Sequence, residues 1–224
     1  MTTSINRWTE PEWALRYLRE RDAIPHRVEG LEVLLELLPP RVERVLDLGT
    51  GDGNTLALVL AARPDATGIG VDFGEEMLRR ARERFEADAR VEIRHHDLDD
   101  PLPDDLGCFD VAVSSFAIHH LVPERQRALY GEVHARLVPG GLFVNVEHVA
   151  SRSDRLHDAF LAAVGRTHEH DDPSNKLVAL ETHLLWLDEL GFVDAECFWK
   201  WRELAVVAGH HPGDIHHATL NHSP

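Results

Sequence analysis

The sequence predicts an α/β protein built on a doubly wound, mainly parallel sheet with helices on both faces. Three observations carry that expectation. From residue 44 onward, short β-branched or apolar runs alternate with amphipathic helical stretches, the pattern of βαβ units whose crossovers cover both faces of a sheet. The first run ends in a glycine-rich turn, "VLDLGTGDGN" (45–54). The chain has 224 residues, 43% of them hydrophobic and 28% charged, enough to bury one sizeable core.

Each element has its own local reason. Thr9 and Glu12 stand at capping-box spacing ahead of an amphipathic helix over 9–21 that carries Trp13, Tyr17 and Arg21. A Leu- and Val-rich helix over about 26–38 stops at Pro39-Pro40. "RVLDLG" (44–49) reads as a buried strand, 54–63 as a helix ending near Pro64, and "ATGIGVDF" (66–73) as the second strand. "GEEMLRRARERF" (74–85) places acids first and bases last, the order the helix dipole favours. "VEIRHHD" (91–97), "FDVAVSSFA" (109–117) and "GLFVNVEHV" (141–149) continue the strands. Between the last two lies a helix over 123–137 that opens on Pro123 and sets Leu129, Val133 and Leu137 four apart.

The last third predicts a short helix over 153–164, a polar loop over 167–175, and a helix from about 174 to 190 that ends at Gly191. "DAECFWKW" and "RELAVVAG" follow, spaced as the two strands of a hairpin. No linker or repeat divides the chain. It reads as one domain over 41–209, with residues 1–40 as an N-terminal helical lid and 151–175 as a lid insertion. Residues 210–224 read as a polar, His-rich, disordered tail.

The formal net charge is -16. Affinity for nucleic acid phosphates comes largely from Lys and Arg, so this surface weighs against a nucleic acid partner. Two well-separated cysteines, Cys108 and Cys197, make no disulfide framework and point to a reduced, cytoplasmic setting. The first residues lack the apolar core of a signal peptide, and no apolar run is long enough for a membrane span.

The glycine turn reads G-x-G-x-G, with Gly49, Gly51 and Gly53. A dinucleotide fingerprint would need glycine at position 54, where Asn54 stands, and the Lys of a P-loop is absent. By itself the triplet is also compatible with a plain strand-to-helix turn. Two acids add to it. Asp72 ends the second strand, where a carboxylate can accept from both ribose hydroxyls. Asp97 ends the third, where an adenine edge would lie, with Phe73 and Leu98 able to sandwich the base. Such a site asks for a nucleoside that carries no phosphate and has a cationic head.

"LDLGTGDGN", "VDFGEEML", "HHDLDDPLP", "FDVAVSSFAIHHL" and "LVPGGLFV", taken in order, resemble the motifs of class I S-adenosylmethionine-dependent methyltransferases over about residues 44–145. The ending "WLDELGFVDAECFWKWRELAVVAG" resembles that fold's final helix and antiparallel hairpin. The resemblance implies a seven-stranded sheet with only the last strand antiparallel, and transfer of a methyl group from S-adenosylmethionine to leave S-adenosylhomocysteine. It also implies site residues. Gly49, Thr50, Gly51 and Gly53 would line the methionine part, and Asp47 would orient the loop or reach the ammonium through water. Asp72 would take the ribose. Phe73 and Met77 would flank the nucleoside, and Asp97 with Leu98 would meet the adenine. Ser114 would face the methionine portion, and Arg21 would aim at its carboxylate. Asp52 departs from the small or hydroxyl residue usual between the later glycines. Turned inward it would join the ammonium site; turned outward it would be solvated.

On the acceptor side, His119 and His120 follow the fourth strand, and Glu147 and His148 end the fifth. The histidines are expected either as general bases or as structural rings bonded to the backbone. His168-Glu169-His170-Asp171-Asp172 carries metal-ligand chemistry, yet without strict spacing it reads as a solvated turn, and no metal centre is expected. Trp8, Trp13 and Tyr17 are candidates for a lid that excludes water. The expected reaction is methyl transfer to an O or N atom of a small-molecule acceptor by a monomer or homodimer. The alternatives are an RNA-modification enzyme of the same fold that makes an altered S-adenosylmethionine, and a non-catalytic module that binds the cofactor.

Overall fold

The computed structural model describes residues 11–20 and 24–213. In chain order the elements are α1 (Pro11–Glu20), α2 (Arg27–Leu37), β1 (Arg44–Leu48), α3 (Asn54–Ala62), β2 (Thr67–Asp72), α4 (Glu75–Arg84) and β3 (Val91–His95). Then come β4 (Phe109–Ser115), α5 (Pro123–His134), β5 (Leu137–His148), α6 (Asp154–Ala163), α7 (Leu180–Glu189), β6 (Val193–Trp201) and β7 (Leu204–His210). Among the described residues seven strands form one sheet in the order β3-β2-β1-β4-β5-β7-β6. Strands β1 to β5 pair in parallel, and β7 runs antiparallel to both neighbours. β1 lies between β2 and β4, so the strand order reverses there, which places the ligand crevice beyond the carboxyl ends of β1 and β4. Among the described residues no helix is long and apolar enough to cross a membrane.

Each parallel strand is apolar on both faces because helices cover both. On one face Val45, Val111, Val113, Val144 and Val206 pack against Leu31 and Leu34 of α2 and Leu56, Val59 and Leu60 of α3. On the other, Leu46, Leu48, Ala112, Phe143 and Val207 pack against Leu129, Tyr130 and Val133 of α5 and Leu187 of α7. The second helix therefore contributes to the core through Leu31, Leu34 and, at its C-cap, Leu38. Its Gly30 lets α2 approach β6, since a Cβ there would lie 3.3 Å from the Trp199 ring. A third cluster joins Phe160 and Leu161 of α6 to Leu204, with Ile24, Phe116 and Val164 against it. Because Leu204 pairs with His148, α6 stands over the carboxyl end of β5.

Three boundaries differ from the sequence reading. The helix expected over 123–137 ends at His134, and Leu137 opens β5 instead of extending the helix face. The helix expected from about 174 begins only at Leu180. The preceding backbone is recruited by the strand ends: Lys176 N donates to His119 O at 2.7 Å, and Ala150 N donates to Val178 O at 2.9 Å. The tail expected from residue 210 does not begin there. His210 belongs to β7, and His211 exchanges hydrogen bonds with Gly140 and Gly141 while its ring stacks on His134 at 4.5 Å. The rest of that tail lies outside the described residues, as does Trp8.

Candidate functional site

The β1–α3 loop is shaped by two glycines in the left-handed region. Gly49 has φ 66°, and a Cβ on it would fall 2.2 Å from the Ala117 Cβ. Gly51 has φ 57°, and a Cβ there would meet nothing within 4 Å. Beneath the loop, Thr50 Oγ1 donates to Asp47 Oδ2 at 2.7 Å and Thr50 N donates to Val71 O at 2.9 Å. Asp47 is fully buried, and its other carboxylate oxygen has no hydrogen-bond partner among the described residues. Burial pushes its pKa up to about 7, and the charges of Asp72 and Asp52 act in the same direction.

This loop forms one wall of an open cleft with about 920 Å³ of empty space. Gly49, Thr50 and Gly51 line it, and Asp72, Phe73 and Met77 continue the wall from β2 into α4. Asp97 and Leu98 close its far side. Asp72 is anchored by two backbone donors, Gly51 N on Oδ2 and Gly74 N on Oδ1, both at 2.8 Å. Burial nevertheless raises its pKa. The remaining lone pairs of its carboxylate can accept further hydrogen bonds. Asp97 Oδ1 accepts from Asp99 N at 3.0 Å, which fixes the turn after β3.

Three expected residues stand elsewhere. Ser114 is fully buried, with Oγ donating to Leu48 O at 2.9 Å between β4 and β1. Successive side chains of a strand point to opposite faces, and it is the next residue, Ser115, that lines the cleft. Gly53 is the N-cap of α3 with φ 79°, and a Cβ there would meet the Phe85 ring at 2.5 Å. It serves the packing of α3 on the end of α4. Asp47 supports the loop from below and is not on the cleft wall. Arg21 lies outside the described residues. Asp52 does line the cleft, with Arg84 bonded to both its carboxylate and its carbonyl at 2.8 and 2.7 Å.

A second cavity, with about 670 Å³ of empty space, shares Arg27, Phe116 and His120 with the cleft. Arg27, at the start of α2, is buried with its guanidinium 4.9 Å from the centre of the Phe116 ring. The sequence signal for Arg27 was hidden, since it differs from Arg21 only in standing closer to the apolar run of α2. Phe116 has φ 55°, a strained conformation for a bulky residue. It is held by Phe116 N donating to Val146 O at 2.8 Å, and this places its ring between the two cavities.

The second cavity has an apolar side of Phe160, Leu161, Val164 and Leu204. Its polar side includes His119, His120 and His148. His119 Nδ1 lies 2.5 Å from Glu147 Oε1, and both side chains are buried. Glu147 also accepts from His148 N at Oε1 and from Asn145 Nδ2 at Oε2, at 2.8 and 3.0 Å. These N–H donors favour the ionised form of Glu147, and in that form the His119 Nδ1 proton points at Glu147 and the basic nitrogen is Nε2. Burial holds the His119 pKa well below its ordinary value and raises that of Glu147. His120 is pushed down to about 3, by burial first and by His119 second. Its Nδ1 meets Ser174 Oγ at 3.0 Å, and that hydroxyl donates to Asp172 Oδ1 at 2.7 Å.

His148 is tied away from Glu147. Its Nε2 lies 2.8 Å from Glu203 Oε2, and His157 Nδ1 lies 3.0 Å from Oε1 of the same carboxylate. Burial would raise the Glu203 pKa, but hydrogen bonds from His148, Ser151 and His157 lower it. His168, which the sequence placed in a loop of metal-ligand chemistry, pairs with Asp158 of α6. Among the described residues no three His, Cys, Asp or Glu side chains converge as metal ligands.

A family model described as a methyltransferase domain matches residues 45–141. The chain is similar to the demethylmenaquinone methyltransferase of Thermus thermophilus, 38% identical over 125 residues, which are 54% of this chain and 53% of that protein. It therefore spans about half the length of that relative. It is also similar to the carboxy-S-adenosyl-L-methionine synthase of Actinobacillus succinogenes, 29% identical over 210 residues, covering 80% of this chain and 84% of that one. Among solved structures, an O-methyltransferase family protein from Burkholderia thailandensis shares the fold with a TM-score of 0.68 at 20% identity, over 92% of this chain and 64% of that one.

Proposed function

From the premise that this chain belongs to the class I S-adenosylmethionine-dependent methyltransferase family, we propose that it methylates a small molecule at a hydroxyl oxygen, with an amine nitrogen as the second choice of acceptor. The observation that carries this reading is His119 on the wall of a cavity that adjoins the cleft, with the buried Glu147 paired to its ring from behind. A hydroxyl must lose its proton as it attacks, so it benefits from a base, whereas a neutral amine already carries a free lone pair.

The cleft wall fits the cofactor. Ser115 and His96 line it, and Ser115 Oγ and His96 Nε2 are buried with no hydrogen-bond partner among the described residues, so each has bonding capacity for a bound group. At Gly51 the backbone leaves room that a side chain would take. Asp72 would hold the ribose hydroxyls, Phe73 and Met77 the nucleoside, Asp97 and Leu98 the adenine, and the Gly49–Gly51 loop with Ser115 the methionine part. Arg27 is the cation placed for its carboxylate. When bound, the cofactor supplies an activated methyl group on a sulfonium, together with a leaving thioether.

The protein's own part is alignment, proton removal and exclusion of water. His119 Nε2 takes the acceptor proton. Glu147 keeps the ring in the reactive tautomer and stabilises the imidazolium that forms, as the third member of a base–orienter arrangement does. Phe160, Leu161 and Val164 keep the acceptor side dry, so the segment over 151–175 acts as the lid.

The test is an acceptor panel of phenols, enols, hydroxy acids and amines, incubated with S-adenosylmethionine labelled in the methyl group. Label on hydroxyl compounds, with one S-adenosylhomocysteine formed per methyl moved, supports the reading. Tight cofactor binding with no turnover on any acceptor would leave a binding module in its place. One further reading has a specific support, the match to the carboxy-S-adenosyl-L-methionine synthase over more than four-fifths of the relative's length. Arg27, between the two cavities, would then meet an added carboxylate. Mass spectrometry of the nucleoside extracted from the purified protein separates the two readings.

A further inference from the structure

A buried hydrogen-bonded chain leads from the acceptor cavity into the core beneath it. Asn145 Nδ2 donates to Glu147 Oε2 and to Tyr130 Oη, each at 3.0 Å, and Tyr130 Oη lies 2.9 Å from His183 Nδ1. Asn145, Tyr130 and Glu147 are fully buried and His183 is 1% exposed. Asn145, Tyr130 and His183 line neither cavity. Tyr130 comes from α5, Asn145 from β5 and His183 from α7, so three elements converge to build the chain.

The donors run in one direction. Asn145 uses both amide protons, one on the carboxylate and one on the phenol oxygen. The Tyr130 proton is then left for His183 Nδ1, and the His183 ring also interacts with the Val178 backbone. Polar groups in a dry core are costly to bury, and this chain carries such a cost: Asn145 Oδ1 is buried with no hydrogen-bond partner among the described residues, while its amide nitrogen makes both bonds. Apolar side chains of the same volume would hold these elements together as well. The Tyr130 ring already packs against Phe143 and Trp186, with ring centres 5.0 and 6.3 Å away. Packing alone therefore does not call for the hydroxyl, the amide or the imidazole.

We propose that Tyr130 and His183 are positioning residues which, through Asn145, hold Glu147 as an ionised acceptor and lock His119 in the tautomer with its proton on Nδ1 and its lone pair on Nε2. The consequence for methyl transfer rests on the proposed function, but the tautomer is a property of the unliganded protein and can be read without an acceptor. With the Tyr130 hydroxyl removed, one Asn145 proton loses its acceptor. The amide is then less firmly held as a donor to Oε2, so Glu147 takes up a proton more readily, and a protonated Glu147 donates to His119 Nδ1 and leaves the ring proton on Nε2.

The experiment is nitrogen-15 and proton NMR of the histidine rings in the full chain without ligand. The wild-type protein should show His119 as the Nδ1–H tautomer, with a far-downfield proton that is lost in Glu147→Gln. Tyr130→Phe should shift the tautomer balance several-fold toward Nε2–H and move or broaden that proton. His183→Leu should do the same, and His183→Asn, which keeps an acceptor near the Nδ1 position, should restore the wild-type signal. The chain holds two tyrosines, so 3-fluorotyrosine in a Tyr17→Phe background alters Tyr130 alone. Its more acidic phenol is a weaker acceptor, and the His119 proton should move in the same direction by a smaller amount. This last measurement decides the matter if Tyr130→Phe does not fold. An unchanged His119 tautomer and proton shift in folded Tyr130→Phe, or in the fluorotyrosine protein, would overturn the proposal. A shifted tautomer in a protein that methylates no hydroxyl would instead overturn the assigned reaction and leave the positioning chain standing.

Discussion

The cleft proposed for the cofactor and the cavity proposed for the acceptor meet at Arg27, Phe116 and His120, yet they are built in opposite ways. The cleft is made of backbone and of residues close in sequence: a glycine loop, then an acid at the end of each of the next two strands. The acceptor cavity is made of side chains contributed from residue 24 to residue 204. Its central pair, His119 and Glu147, is 28 residues apart. A backbone-built cradle tolerates little change and recognises one ligand. A side-chain-built cavity can be rebuilt position by position, which suits a fold whose relatives carry such different names.

The contrast can be broken first at Asp47, where the largest effect is expected. Its folded pKa is about 7 against an ordinary 3.8, so the folded protein binds a proton that the unfolded chain has lost. Stability from this group is fully present below about pH 4, falls as the pH rises toward 7, and is flat above. At about 1.4 kcal/mol for each tenfold difference, roughly 4 kcal/mol is at stake. Asp47→Asn should therefore be more stable than wild type at pH 8 and nearly equal at pH 4, as read by urea unfolding without ligand. Equal differences at both pH values would show that the carboxylate is not held protonated beneath the loop.

Asp72→Ala comes next. It removes a charged acceptor expected to bind two hydroxyls, and the loop's anchor at Gly51 N. Calorimetry should find S-adenosylmethionine bound about 100-fold more weakly, at roughly 1.5–3 kcal/mol for each hydrogen bond to a charged group. A loss of less than threefold would remove Asp72 from the ribose site. The smallest effect separates two glycines. Gly49→Ala adds a 2.2 Å clash to a left-handed φ, whereas Gly51→Ala adds only the φ. Backbone strain of this kind costs about 1–3 kcal/mol, so thermal unfolding should place Gly49→Ala several degrees below Gly51→Ala. The reverse order would contradict the role of Ala117 as the loop's stop.

The same contrast explains what the sequence made legible. The sheet, its switch point and most of the cleft wall follow from local pattern, because Gly49, Gly51, Asp72 and Asp97 sit at strand ends that periodicity locates. Ser114 was misplaced because one residue of strand register turns a side chain to the other face, and Ser115 is the one on the wall. Gly53 looked like a third ligand glycine, but its freedom from a side chain serves Phe85, whose approach only tertiary packing reveals. The late start of α7 depends on Lys176 and Val178 bonding His119 and Ala150, contacts between segments more than twenty residues apart. The choice of His119 as base over His120 and His148 could not be made from sequence either. It depends on which imidazole each carboxylate reaches: Glu147 takes His119, and Glu203 takes His148.

The most direct measurement pairs binding and turnover in Glu147→Gln. Glu147 lines neither cavity, so S-adenosylmethionine affinity by calorimetry should stay within about twofold of wild type. Methyl transfer to a hydroxyl acceptor should fall at least 100-fold, the usual scale of general-base catalysis, because His119 loses the partner that fixes its tautomer. Unchanged turnover, or a parallel loss of cofactor binding, would contradict the account of two separately built halves joined at a single base.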